Sequence, residues 1–387
     1  MDFLKKAEEI KELLIDTRRD FHENPELDFQ LYRTSGKVKE FLEKEGIEYY
    51  ECAETGICAT IRGRGEKTVA LRGDMDALPI IENNSCEYKS KNHGVMHACG
   101  HDAHTTMVLG AAKILNSIKD SLNGNVKLLF EPAEETTGGA KVMVKEGVLE
   151  DVDAVIGLHV EEWLEKGKIG IKKGVVNAAS NPFTIKITGK GGHGAAPQYT
   201  VDPIAIASNV IINLQNIISR ELPPTDAGVI TIGSIHGGTA QNIIPSEVIL
   251  NGIIRTVRTE HREYVKKRLV EITEGIVKSM RGKCEIEIEE SYPCLYNNDE
   301  MYDILINSAE KVIGNKNIDI LDAPSMGVES FAYFAMEKPS VFYYLGCRNE
   351  EKGIIYPAHS DKFNIDEDCL TIGTAIHCQA VADFLNR

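Results

Sequence analysis

Apolar runs of about 20 residues, the length a membrane-spanning helix needs, are absent from this 387-residue chain. Basic residues are in deficit: 43 Lys and Arg stand against 59 Asp and Glu, and the formal charge of −16 repels phosphate, which sets aside nucleic acid as a partner. No CxxC pair occurs among the nine cysteines, whose odd number and wide spacing fit a reducing compartment better than a disulfide scaffold. Residues 1–9 carry charges where a secretory leader would have its apolar centre. The expectation is a cytoplasmic protein, bound neither to membrane nor to nucleic acid, that acts on a small molecule. Cys52, Cys58, Cys86 and Cys378 are expected as small core residues. No internal repeat and no low-complexity segment is present.

What the chain does have is enough apolar material, 42% of residues, for a sizeable core, and a length suited to two domains. Apolar spacing predicts helices over 3–22 and 34–42, and short, partly β-branched runs predict buried strands at 58–61, 68–71, 126–130 and 154–158. A helix is expected over 103–118, with Asp102 capping its amino end. This alternation indicates an α/β layer structure. From residue 181 the order becomes strand (183–189), helix (203–219), strand (228–235), strand (248–257), helix (262–279) and strand (284–290), a βαββαβ unit of ferredoxin-like type. Helix 301–312 and strand 340–345 then resume the first pattern. The expected organisation is a discontinuous domain, 1–180 and 292–387, interrupted by a satellite domain, 181–291.

The densest chemistry lies in His97-Ala98-Cys99-Gly100-His101-Asp102-Ala103-His104. A core avoids the desolvation cost of such groups unless a charge compensates them, and a bound cation would do so. Cys99 and His101 would diverge by about 200° on a helix, so the ligands are expected in the loop before it. Thiolate and imidazole suit zinc and other borderline divalent ions. Further metal-type groups follow predicted strands, where open α/β sheets place their sites: Asp74 and Asp76, Glu134 and Glu135, and His159, with His359 late in the chain. A lone histidine is more often a hydrogen-bonded core or surface residue, and adjacent glutamates are usually solvated. Glu134 and Glu135 point opposite ways on an extended backbone, so one can bind metal while the other handles protons. Spacing does not say which. Gly189, Gly191 and Gly194 satisfy GxGxxG, but Pro197 and the polar residues after it prevent a helix from starting there, so no pyrophosphate site is expected.

Together, Arg19-Asp20-Phe21-His22-Glu23-Asn24-Pro25-Glu26-Leu27, Arg72-Gly73-Asp74-Met75-Asp76-Ala77-Leu78-Pro79, Met96-His97-Ala98-Cys99-Gly100-His101-Asp102, Pro132-Ala133-Glu134-Glu135, Gly189-Lys190-Gly191-Gly192-His193-Gly194 and Gln241-Asn242-Ile243-Ile244-Pro245 resemble the M20 metallopeptidases. Within that family the likeness is to the branch of aminoacylases, hippurate hydrolases and auxin-conjugate amidohydrolases. It runs over nearly the whole chain. It implies a zinc-peptidase-like α/β domain, its mixed sheet flanked by helices, with an inserted ferredoxin-like satellite domain.

It also implies two divalent ions per subunit, held by Cys99, His101, Glu135, His159 and His359, with Glu134 as general base. Other branches carry Asp at the place of Cys99 and His at that of Asp74, so Cys99 is expected to bridge the ions. Asp74 and Asp76 are expected behind the ligands, orienting them. The same ligand types accept zinc, manganese, cobalt or nickel. His193 resembles an imidazole that stabilises the oxyanion, in several relatives across a dimer interface, and Asn242 an amide that binds substrate. Arg255 is expected to clamp a substrate carboxylate, the alternative being a strand-edge salt bridge.

The implied reaction is hydrolysis of the amide bond of an N-acyl amino acid or short peptide, and a homodimer through the satellite domain is expected. A metal-free hydrolase with Cys99 as nucleophile and His101 as base, and a non-catalytic binding protein, are the alternatives. Two departures stand out. Val328-Glu329-Ser330-Phe331 replaces a usual Ser-Glu-Asp-Phe, and Glu131 replaces a usual Gln, which is expected to add negative charge near the metals and favour a substrate carrying an amine.

Overall fold

A computed structural model describes residues 1–136 and 138–387 and divides them into two compact units. The first comprises Met1–Val176, Tyr296–Ala323 and Glu329–Arg387; the second comprises Asn177–Leu295 and Pro324–Val328.

The first unit is built on an eight-stranded mixed sheet in the order Glu48–Cys52, Gly56–Ile61, Asn125–Glu131, Thr68–Asp74, Ala154–Glu165, Ser340–Arg348, Ile169–Ile171, Ile318–Ile320. Its middle strands run parallel: Thr68–Asp74 pairs in parallel with both Asn125–Glu131 and Ala154–Glu165, which pairs in parallel with Ser340–Arg348. Such strands are covered on both faces, which is why all of Thr68–Asp74 is buried. Helices Phe3–Glu9, Lys11–Glu23, His101–Ser117, Asp299–Ile313 and Cys369–Leu385 pack on one another and on the sheet. His101–Ser117 is buried almost all round, so its sequence shows no wide polar stripe. At Gly73 a Cβ would come within 3.0 Å of the His104 carbonyl oxygen, so this glycine lets the helix lie close on the strand.

Three local expectations are corrected. The single helix over 3–22 is broken at Ile10 (φ −112°, ψ 16°), although neither Gly nor Pro marks the place. Asp102 does not cap its helix; Gly100 is the capping residue, and Asp102 sits in the first turn, bound to Arg18. Cys86 is only partly buried.

Arg18 and Asp102 are fully buried and 2.8 Å apart, and they tie helix Lys11–Glu23 to the start of helix His101–Ser117. His22 stands between Asp102 (2.7 Å) and Glu82 (3.3 Å). Burial alone would raise the Asp102 pKa, but Arg18 and His22 outweigh it and hold the carboxyl below the usual carboxylate range.

In the second unit, strand Ala179–Thr188 alternates buried Phe183, Ile185 and Ile187 with more exposed Thr184, Lys186 and Thr188. The elements follow as that strand, helix Pro203–Asn216, strands Gly228–His236 and Glu247–Thr256, helix Thr259–Ser279 and strand Lys283–Ile288. The sheet is antiparallel, in the order Gly228–His236, Glu247–Thr256, Ala179–Thr188, Lys283–Ile288. Val210, Leu214, Val265 and Leu269 from the helices complete its core.

Arg18→Ala strands the Asp102 carboxylate, and breaking a buried pair in this way costs about 3–5 kcal/mol, to be read from urea unfolding at pH 7. Because the folded pKa of Asp102 is depressed, the pair's contribution is present above the unfolded value of about 3.9 and fades as pH falls below it. The variant should therefore differ most from the parent near neutrality, and equal unfolding midpoints at pH 7 would refute the pairing.

Candidate metal centre

The site grows from loops at the carboxyl ends of the parallel strands, together with a residue inside one of them. Gly100 adopts φ +90°, and a Cβ there would fall 2.2 Å from Val160 Cγ2, so only glycine fits between Cys99 and the helix that begins at His101. Two non-glycine residues share that left-handed region nearby: Ala133, one residue before Glu134, and His359, whose N–H donates to the Ala98 carbonyl at 2.7 Å. Such backbone strain collects where side-chain placement matters more than local comfort.

The side chains named from the sequence converge. Cys99 Sγ lies 3.2 Å from His159 Nε2. Glu135 Oε1 lies 3.5 Å from His359 Nε2 and 3.8 Å from His101 Nε2. Cys99, His101 and His159 offer donor atoms within 4.8 Å of one another; so do Cys99, Glu135 and His359, and so do His101, Glu134 and Glu135. The thiol is thus common to two sets of three donors. His159 reaches this point from within strand Ala154–Glu165, not from its end as expected, because residues 160–165 go on pairing beside Ser340–Arg348.

Asp76 lies behind the donors. Its carbonyl and Oδ1 meet His101 Nδ1 at 2.8 and 3.2 Å, and its Oδ2 accepts from the Glu135 N–H at 3.1 Å. His101 is thereby turned with Nε2 toward the cluster. The oxygens of Asp74 meet His104 Nδ1 and Arg72 Nη1, both at 2.6 Å, with His101 Nε2 at 3.6 Å, and Asp74, His101 and His104 form a further set of three donor atoms within 4.8 Å of one another. His104, which was not singled out as a site residue, accepts from the Val160 N–H at 2.9 Å and packs its ring on His159 at 4.7 Å. Its spacing of three from His101 on one helix was the available signal. His97, in the same motif, is buried away from these donor sets, and burial lowers its pKa to about 3.

Arg72 is the other residue missed. Its buried guanidinium donates to Glu131 Oε2 at 2.6 Å, to Glu329 Oε1 at 3.0 Å and to Ser330 Oγ at 2.9 Å, besides pairing with Asp74. Glu131 is accordingly turned into the protein and faces this cation; the expectation that it adds charge to the substrate pocket is corrected.

Asp74, Asp76, Glu131, Glu134 and Glu329 are buried around one guanidinium, with Glu135 nearly so, and burial pushes the Glu131 pKa up to about 7 and that of Asp76 up as well. His101 Nε2 and Glu135 Oε1 are buried without a hydrogen bond. An unsatisfied imidazole nitrogen and carboxylate oxygen, beside a thiol and among clustered carboxyls, are a donor set that fits divalent cations. Burial, then His104, lowers the His159 pKa to about 3, so the ring is neutral and free to bind metal. Burial pushes the Cys99 thiol well up and Glu135 adds to this, so only a cation would draw the proton off. Glu134 is likewise pushed well up, by burial and then by Glu329 and Glu135.

The second unit brings two of its named residues together. Strand Gly192–His193 pairs with Ile243–Ile244, and the Gly194 N–H donates to the Asn242 carbonyl at 2.8 Å. His193 Nδ1 accepts from the Ala195 N–H at 3.0 Å, which leaves Nε2 as the proton-bearing nitrogen of the neutral ring. Arg255 is half-buried and has no carboxylate within ion-pair reach among the described residues; Nη1 donates to the Met326 carbonyl at 3.4 Å.

Residues 70–383 match the sequence profile of Peptidase family M20/M25/M40. The chain is 40% identical to thermostable carboxypeptidase 2 of Saccharolobus solfataricus over the whole of both proteins. It is also 40% identical to an IAA-amino acid hydrolase of Arabidopsis thaliana, over 99% of this chain and 88% of the plant protein. A solved structure described as a dinuclear metal-binding peptidase from Bacillus subtilis superposes with a TM-score of 0.84 at 32% identity, over 98% of this chain and 99% of that one.

Saturating the metal-stripped protein with zinc or manganese should raise its thermal unfolding midpoint, since a ligand at a thousandfold excess over its Kd stabilises by about 4 kcal/mol. A midpoint indifferent to every added divalent ion would count against the cluster as a metal centre.

Proposed function

The chain belongs to peptidase family M20/M25/M40, and on that membership we propose that it hydrolyses the amide bond of N-acyl amino acids or short peptides with two divalent cations and a glutamate base. The observation that carries this reading is the Cys99 thiol common to two donor sets, with Glu134 beside them. Cys99, His101 and His159 would hold one ion, and Cys99, Glu135 and His359 the other, with the thiol common to both sets. Cations so placed supply Lewis acidity toward a carbonyl and lower the pKa of water from 15.7 toward about 7. Zinc, manganese, cobalt and nickel all suit these donors.

In the proposed reaction Glu134 takes a proton from the attacking water. Burial, then Glu329 and Glu135, push its pKa up, the direction in which a carboxylate becomes a stronger base. The carbonyl carbon gains the water oxygen, the carbon–nitrogen bond breaks, and Glu134 returns its proton to the departing amine. The products are a carboxylic acid and a free amino acid. His193 Nε2 would donate to the oxyanion, in keeping with its acceptor role at Nδ1. Asn242 would bind the substrate amide, and Arg255, with no carboxylate of its own, would take that of the substrate.

A metal-free thiol mechanism is disfavoured because burial and Glu135 raise the Cys99 pKa, the reverse of what an activated nucleophile needs. A pure binder has no use for the Glu134 base.

We also propose a homodimer through the second unit. Edge strand Lys283–Ile288 is guarded by Lys283, Glu285 and Glu287, whereas the opposite edge, Gly228–His236, carries no Lys, Arg, Asp or Glu and exposes Val229 and Ile235. Helix Pro203–Asn216, packed beside it, exposes Ile204 and Ile212. A cytoplasmic setting is supported by nine unpaired cysteines, and no helix among the described residues is long and apolar enough to cross a membrane.

Glu134→Gln should keep its metal content while turnover of N-acyl amino acids falls by a factor on the order of 10³, as loss of a general base implies; undiminished turnover would place the base elsewhere. Introducing Lys at Val229 and Ile235 together should convert a dimer to a monomer in sedimentation analysis. A parent protein that already sediments as a monomer sinks the dimer proposal.

A further inference from the structure

Ser330 touches the base without belonging to either donor set. Its N–H donates to Glu134 Oε1 at 2.9 Å. Its hydroxyl donates to Glu131 Oε1 at 2.5 Å and accepts from Arg72 Nη2 at 2.9 Å, while Arg72 Nε donates to Glu131 Oε2 at 2.6 Å. Guanidinium, carboxylate and hydroxyl thus close a ring in which the single hydroxyl proton is committed to Glu131 and one of its lone pairs to Arg72. Arg72, Glu131 and Ser330 are all at most 1% exposed, so no solvent replaces a lost bond. The peptide of Ser330 cannot turn without breaking the ring, and that same peptide holds Glu134.

Position 131 supplies the carboxylate of the ring, and the hydroxyl at position 330 lies nearly as close to Arg72, at 2.9 Å against 2.6 Å. An Asp carboxylate at 330 would stand where the hydroxyl now meets Nη2, and an amide at 131 could then donate to it. With Glu131 kept as well, two carboxylates would face each other across the span of one hydrogen bond.

We propose that Arg72, Glu131 and Ser330 are positioning residues for the Glu134 carboxylate, and that their ring requires one negative charge that can stand at either 131 or 330. The proposal rests on Glu134 being the base.

The test compares Glu131→Gln, Ser330→Asp, the two combined, and Ser330→Ala, measuring kcat, KM, bound metal and Tm for each metal-loaded protein. Ser330→Asp should lower kcat on the order of 100-fold with KM within about threefold, a displacement effect rather than a binding one. Adding Glu131→Gln should bring kcat back to within about threefold of the parent, a rescue that independent sites do not show. Glu131→Gln alone, and Ser330→Ala alone, should each lower kcat by about tenfold at unchanged metal content. A double variant no better than Ser330→Asp overturns the proposal, as does a Ser330→Asp protein with parental kcat. Should Ser330→Asp not fold, a folded and active double variant supports the ring and an unfolded one overturns it. Full activity of Glu134→Gln would remove the underlying reading instead, so the two failures are distinguishable.

Discussion

A single buried guanidinium decides how this catalytic unit can be built. Arg72 lies within a seven-residue strand that is buried along its whole length, and a charge so placed survives only if its environment is organised around it. Asp74 comes from the same strand, Glu131 from the neighbouring parallel strand, and Glu329 and Ser330 from a segment far along the chain. Each of these then orders something else: Asp74 orders His104, Glu131 accepts from the Ala140 N–H, and Ser330 orders Glu134.

The layer architecture could be read from the chain because buried parallel strands are apolar runs and surface helices repeat at helical spacing. The donor residues could be read because Cys99, His101, Glu134 and Glu135 occur in dense motifs. His159 and His359 are weaker signals, each a solitary imidazole that gains meaning from the other metal-type groups beside it and from the family resemblance. What escaped was the layer behind the donors. The sequence assigns Arg72 no role, since nothing local tells a buried arginine from an exposed one, and its partners at 131, 329 and 330 are distant in sequence. Glu131 was misjudged for the same reason: its sign was legible, its direction was not. Asp102 looked like a helix cap and serves instead as the partner of Arg18, on a helix in another part of the chain.

The two units differ in how deeply they bury polar groups. The first, with parallel strands covered on both faces, buries titratable groups deeply enough to shift their proton affinities, and it holds the donors and the base. The second has an antiparallel sheet and exposes His193, on one strand of a short pair, and Asn242, just before the other.

His359 departs from the other donors in a way that bears on how the cluster would fill. Its side chain is 55% exposed, against 14% for His159 and 1% for His101. It rides on a loop residue with φ +65° rather than on a strand or helix. Through His359, Glu135 is reached from water, whereas His101 and His159 stand turned away from it, so a solute would meet the cluster first on the His359 side.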